Sequence, residues 1–178
     1  LYAKWTANKY TVALDPNGGK AGSKTQVDAT YDSLLPLITG QGELPTKEGY
    51  VFQGYFDASS GGTQYYYADG SSAKNWDKTD TSPKLYAHWS ANSYQVRFNK
   101  NDETAKGTMS DQDFTYDTSQ ALSQNEFSKT GYPFAGWATS ATGDVKYLAM
   151  QSVSNLTAEP NGIYKLYAKW TVNQYTVT

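Results

Sequence analysis

The chain has 178 residues, of which 38% are hydrophobic, 18% charged and 15% aromatic, with a net charge of −2. That balance excludes an overall basic footprint, so nucleic acid is not an expected partner. There is no cysteine, which excludes disulfides, thiolate metal sites and cysteine nucleophiles. No apolar run approaches the roughly 18 residues needed to span a bilayer, so no membrane insertion by this segment is expected.

In chain order, the first element is LYAKW (residues 1–5), where Leu1, Ala3 and Trp5 alternate with Tyr2 and Lys4. A period of two is the pattern of a half-buried strand. After Thr6-Ala7-Asn8-Lys9 comes a second alternating run, Tyr10-Thr11-Val12-Ala13-Leu14, and it enters the turn Asp15-Pro16-Asn17-Gly18-Gly19. A further strand is expected over Thr25 to Tyr31, and a helix of about one turn over Asp32 to Ile38, limited by Pro36. GYVFQGYF (Gly49 to Phe56) comes next. Its rings Tyr50 and Phe52 share a face, while Tyr55 falls three positions on, beyond Gly54. A bulge or close backbone approach at that glycine would return Tyr55 to the core side.

The same elements then return. LYAHWSANSYQV (residues 85–96) and LYAKWTVNQYTV (residues 166–177) restate LYAKWTANKYTV (residues 1–12), and the first and third copies agree at ten of twelve positions. GYPFAGWA (Gly131 to Ala138) repeats GYVFQGYF, Thr115-Tyr116-Asp117 repeats Thr30-Tyr31-Asp32, and Gly143 to Ala149 loosely repeats Gly62 to Ala68. The counterparts of the second strand and the short helix are Gln112 to Tyr116 and Asp117 to Phe127. A period near 80 residues marks a repeat architecture. The expected division is 1–9 as the end of a preceding repeat and its joint, 10–89 and 94–170 as complete repeats, and 171–178 as a joint and the start of another. Each joint has four residues with no Gly or Pro, which limits freedom between neighbours.

Taken together, the YTV-type strand with its Asn-Gly-Gly turn, G-Y-x-F-x-G-[YW] and L-Y-A-x-W resemble the Listeria–Bacteroides repeat, the family that includes the B-repeats of internalins. The resemblance covers nearly the whole chain. It implies a mainly β, β-grasp (α+β, ubiquitin-like) unit with at most one short helix, strung in tandem on bacterial surface proteins. It also implies a cell-surface or cell-wall location and a stalk or adhesin-like role. The second repeat departs at its first turn, where Asn101-Asp102-Glu103 replaces Asn17-Gly18-Gly19.

Comparison between copies separates framework from candidate chemistry. The expected core is Tyr10, Val12, Leu14, Phe52, Tyr55, Leu85, Ala87 and Trp89 in one repeat. In the other it is Tyr94, Val96, Phe98, Phe134, Trp137, Leu166, Ala168 and Trp170. His88, the only histidine, is matched by Lys4 and Lys169 on the polar side of LYAxW, so it reads as a strand residue and no catalytic residue is expected. Asn99, Asn101 and Glu103, or Asp111 and Asp113, place oxygens at alternate positions without completing a cation loop, so no metal or cofactor is expected. Asn155-Leu156-Thr157 matches a glycosylation triplet by coincidence. In Tyr65-Tyr66-Tyr67, Tyr65 aligns with Lys146 and is expected to be exposed near Trp76, where the pair could contact a glycan or a host protein. Leu1 to Trp5 and Tyr175 to Thr178, as strands without their own domains, could pair head to tail between molecules. The leading expectation is a structural spacer that packs against neighbouring repeats. Glycan or host-protein binding and filament assembly are the alternatives.

Overall fold

A computed structural model describes residues 1–172, and it divides into two units between Ser90 and Ala91. Tyr175 to Thr178, expected as an opening strand, lie outside the described residues. Both units are built from strands, and no helix occurs among the described residues.

In the first unit, β1 (Lys9–Asp15) turns back into β2 (Gln26–Thr30), with Val12 opposite Val27. Next come β3 (Tyr50–Phe56), β4 (Gln64–Tyr66) and β5 (Lys84–Ala91), giving a sheet in the order β2-β1-β5-β3-β4. β1 and β5 run parallel at its centre, with Leu14 beside Leu85. The second unit repeats the plan with β6 (Ser93–Asn99), β7 (Gln112–Thr115), β9 (Phe134–Ala138) and β11 (Ile163–Trp170) in the order β7-β6-β11-β9. β6 and β11 are again parallel, with Phe98 beside Leu166. Its short β8 (Gln120–Ala121) and β10 (Ser152–Val153) form a separate two-stranded sheet. A hairpin beside a parallel pair of first and last strands is the β-grasp plan.

The two expected helical turns are not formed. Asp32 and Asp117, read as the start of those turns, both take φ of +58° and reverse the chain after β2 and β7 instead of capping a helix. Beyond Asp32 the chain is irregular apart from a bridge between Leu34 and Asn75, and Leu35 and Ile38 enter the core. Ile38 N–H donates to Gly70 O (3.0 Å), and Pro36 O accepts Tyr66 Oη–H (2.7 Å). The second unit forms the β8–β10 pair in the equivalent stretch. Irregular chain serves here because the segment's backbone groups find partners in a neighbouring loop, which a single turn of helix would leave unsatisfied.

Residues 1–5 also depart from expectation. The sequence that is strand at 85–89 and 166–170 lies outside any sheet at 1–5, with Leu1, Tyr2 and Trp5 fully exposed. Alternation selects a strand only where an adjacent strand accepts its backbone groups. The joint Ser90–Ser93 is mostly strand, since β5 runs through Ala91 and β6 begins at Ser93. Asn92 between them is buried, and its amide donates to Ala158 O (2.7 Å).

Each core is aromatic. Val12, Leu14, Tyr55, Leu85 and Ala87 are buried in the first unit, with Tyr10, Phe52 and Trp89 packed at its margin. Tyr94, Val96, Phe98, Trp137, Leu166 and Ala168 are buried in the second, with Phe134 and Trp170 at the margin. The rings meet edge to face: Phe52 with Tyr55 at 5.1 Å and 71°, Phe134 with Trp137 at 4.8 Å and 63°. Such pairs contribute about 0.5–1.5 kcal/mol beyond area burial. The glycine before the second ring makes this packing reachable. Gly54 has φ +122° and Gly136 φ +146°, and a Cβ at Gly54 would stand 2.1 Å from Tyr66 O. The β3–β4 register shifts between Tyr55 and Phe56, so a bulge turns Tyr55 inward beside the glycine.

The first turn is tied to the last strand in the same way in both units. Asn17 and Asn101 take left-handed φ of +46° and +54°. Asn17 Nδ2 donates to Ala87 O and Ser59 O (both 2.9 Å), and Asn101 Nδ2 donates to Ala168 O (3.1 Å) and Ala141 O (2.9 Å). Trp89 Nε1–H donates to Pro16 O and Trp170 Nε1–H to Lys100 O, each at 3.0 Å. The substitution of Asn-Asp-Glu for Asn-Gly-Gly therefore leaves the turn's anchor unchanged, because the asparagine makes it.

Gly54→Ala should destabilise the first unit by about 3 kcal/mol, from backbone strain and the clash with Tyr66 O. Hydrogen exchange on the two-unit chain should show lost protection confined to residues 10–89; an unchanged profile would refute the bulge. Asn17→Ala, which removes two donors from carbonyls, should cost about 2 kcal/mol, and Trp89→Phe, which removes one while keeping a ring, about 1 kcal/mol. Urea melts of the three variants check this order.

Candidate functional site

Tyr65 and Trp76, expected as an exposed contact pair, are each 1% exposed. The chain from Lys74 to Asp77 folds over the outer side of β4, so the face that alternation assigns to solvent is covered. Trp76 packs on Tyr65 with ring centroids 5.3 Å apart and on Tyr10 at 6.3 Å. Tyr65 Oη–H donates to Asp77 Oδ1, and Lys74 Nζ lies 5.1 Å from the Tyr65 ring and 2.6 Å from Asp77 Oδ2. Burial, with the Asp77 carboxylate second, pushes the Tyr65 hydroxyl well above its ordinary pKa; Lys74, with Tyr65 second, holds Asp77 below the usual carboxylate range. The alignment with Lys146 misleads because that lysine is exposed on a unit where no tryptophan covers it in this way. Of the three tyrosines, only Tyr67, at 50%, faces water.

Most of the remaining candidates have structural partners. His88 is half-buried, stacks on Phe56 at 4.0 Å and 11°, and its Nε2 lies 2.9 Å from Ala58 O. Asn99 Oδ1 accepts the Asn101 N–H (2.7 Å). Asp111 is held in a fork by Arg97 (2.6–3.1 Å), and Asp113 accepts from Gln95 Nε2 (2.9 Å). Asn155 Nδ2 donates to Asp117 Oδ1 (2.6 Å). Among the described residues no group of three or more His, Asp or Glu side chains is placed to hold a metal ion.

Convergent polar groups and rings do meet at the anchored turn of the first unit. A groove of about 310 Å³ is lined there by Asn17, Lys47, Tyr50, Ser60, His88 and Trp89, among others. The tight turn Lys47–Tyr50, in which Tyr50 N–H donates to Lys47 O (3.1 Å), folds the lysine over the ring, with Nζ 4.0 Å from the Tyr50 centroid. Gly49, at φ +75°, supplies the reversal. The second unit keeps the motif: Lys129 Nζ lies 4.2 Å from the Tyr132 centroid, and Gly131 has φ +81°. A cation over an aromatic face contributes about 0.5–1 kcal/mol at an exposed site. Sequence reasoning passed over this pair, although Lys47-Glu48-Gly49-Tyr50 and Lys129-Thr130-Gly131-Tyr132 are legible as a repeated K-x-G-Y.

Comparison with known proteins agrees with the repeat plan. The family model of the Listeria-Bacteroides repeat domain matches twice, over residues 10–88 and 94–169. A putative membrane protein of Evansella cellulosilytica is 32% identical over 97% of this chain and 24% of its own length. A putative Gly-rich membrane protein of the same organism is 33% identical over 100% of this chain and 18% of its own. Internalin H of Listeria monocytogenes is 32% identical over 92% of this chain and 25% of its own. The chain thus spans a quarter or less of the length of these curated relatives. No solved structure matches. Two family matches in tandem, each falling on a β-grasp sheet with a Trp-anchored first turn, establish that this chain belongs to the Listeria–Bacteroides repeat domain family.

Proposed function

We propose that the chain is a structural spacer segment of a bacterial protein displayed outside the cell, and that it is not an enzyme. One observation carries the reading: in each unit the first and last strands are parallel neighbours. The chain therefore enters a unit at one end of the sheet and leaves at the other. From the start of β1 to the end of β5, or of β6 to β11, the separation is roughly 30–35 Å at about 3.3 Å per residue. Every repeat adds that length between the segments on its two sides.

The same arrangement governs the response to tension. Pulling on the two ends of a unit loads the β1–β5 or β6–β11 ladder in shear, so its hydrogen bonds must fail together. The Asn17 and Trp89 contacts, and those of Asn101 and Trp170, cross that same seam. Forced unfolding is governed by the unfolding barrier, which such a ladder raises. Relatives named as membrane proteins and as an internalin support a place at the cell envelope. The names of the family and of these relatives describe no catalytic activity.

Single-molecule stretching of the two-unit chain tests the proposal. Two separate unfolding events are expected, each releasing roughly 25 nm of chain, and Asn17→Ala should lower the force of one of them. Smooth extension without events would sink the spacer reading.

A further inference from the structure

Lys47 and Lys129 occupy the same place in the two units, yet their ammonium groups meet different surroundings. Lys129 Nζ pairs with Asp102 Oδ2 at 2.5 Å. Asp102 comes directly after the turn asparagine Asn101 and also accepts from the Thr104 N–H (2.8 Å) and hydroxyl (2.5 Å). Lys129 first, and Thr104 second, hold its carboxyl well below the usual carboxylate range. In the first unit the residue after the turn asparagine is Gly18. A Cβ built on Gly18 would stand 3.9 Å from Lys47 Nζ, so that position faces the ammonium but carries no acid. Among the described residues Lys47 makes no ion pair. The first unit thus keeps the cation of a built carboxylate site without its anion, and that cation, with the turn asparagine, lines the groove.

The rest of the groove indicates what carries the anion. Tyr50, His88 and Trp89 are the ring-bearing residues of its lining, and Ser59 and Ser60 the hydroxyl-bearing ones. Its 310 Å³ is at the small end of the range of about 300–1,000 Å³ found for ligand clefts. Ring edges and faces suit the C–H surface of a sugar, and the serines suit its hydroxyls. We propose that this groove binds an acidic sugar, a uronic acid residue of a glycan, whose carboxylate takes the position at Lys47 that Asp102 takes at Lys129. The site is separate from the spacer role, and its failure would leave the mechanics of the units untouched.

The test is calorimetric and NMR titration of the whole chain at low salt with a short oligogalacturonate. A neutral galactose oligomer of equal length and an Asp/Glu-rich peptide serve as comparisons. Saturable binding of the acidic sugar at one site per chain is expected, with at least tenfold weaker binding of the neutral sugar and the peptide. Lys47→Met should weaken binding at least tenfold, and Gly18→Asp, which supplies an internal carboxylate, should do the same. Thermal melts confirm that each variant is folded, and Lys47→Gln replaces Lys47→Met if the latter is not. No binding, binding undiminished in the Lys47 variant, equal binding of the neutral sugar, or preference for the peptide would each overturn the proposal.

Discussion

The parallel contact between the first and last strands of each unit is the constraint on which the rest depends. Parallel neighbours cannot be joined by a tight turn, so the chain between them must leave the sheet, cross and return. In the first unit the chain from Gly18 to Pro83 makes that connection, and on the way it contributes β2, β3 and β4 to the same sheet. It must also cover the sheet, since the strands bury Val12, Leu14, Leu85 and Ala87 on one face. The asparagine and tryptophan anchors fix where the crossing begins relative to where it ends, because Asn17 and Pro16 bond to residues some 70 positions later.

Covering a sheet without a helix demands large side chains and well-placed polar groups. Rings supply the area: Tyr55, Tyr65, Tyr66 and Trp76 in the first unit, Phe114, Phe127 and Trp137 in the second. Buried tyrosines also need acceptors, and Tyr66 finds one on Pro36 in the loop after β2. Burial raises the Tyr55 hydroxyl to about 12, which keeps it neutral inside the core over the physiological range. Positive φ at Asp32, Asp117, Gly54 and Gly136 sets the reversals and bulges that aim these rings inward. The loops between these strands are thus built from turns and anchors.

Position-by-position comparison between copies was a good guide to the framework and a poor one to the surface. It identified the strands near Tyr10, Tyr94, Phe52 and Phe134 because those residues repeat with the period of a sheet. It misplaced Tyr65, since equivalence with a lysine says what a backbone position tolerates and nothing of what another loop lays over it. The groove at Lys47 had the opposite fault. Its K-x-G-Y motif was legible, but the significance of Gly18 against Asp102 rests on a contact across nearly 30 residues, which no local pattern encodes.

The repeat, the alternating strands, the aromatic pair around Gly54 and Gly136, and the family are all legible in the amino-acid order. All of these are local patterns, or copies of local patterns, that chain geometry alone makes meaningful. That Asp32 and Asp117 reverse the chain without starting a helix, that the LYAKW pattern at 1–5 lies outside any sheet, and that Tyr65 and Trp76 are interior all depend on tertiary packing. It alone brought Lys47 beside Gly18. In each case the outcome depends on which distant backbone group or side chain is present to satisfy a polar atom or cover a ring, and that is a property of packing.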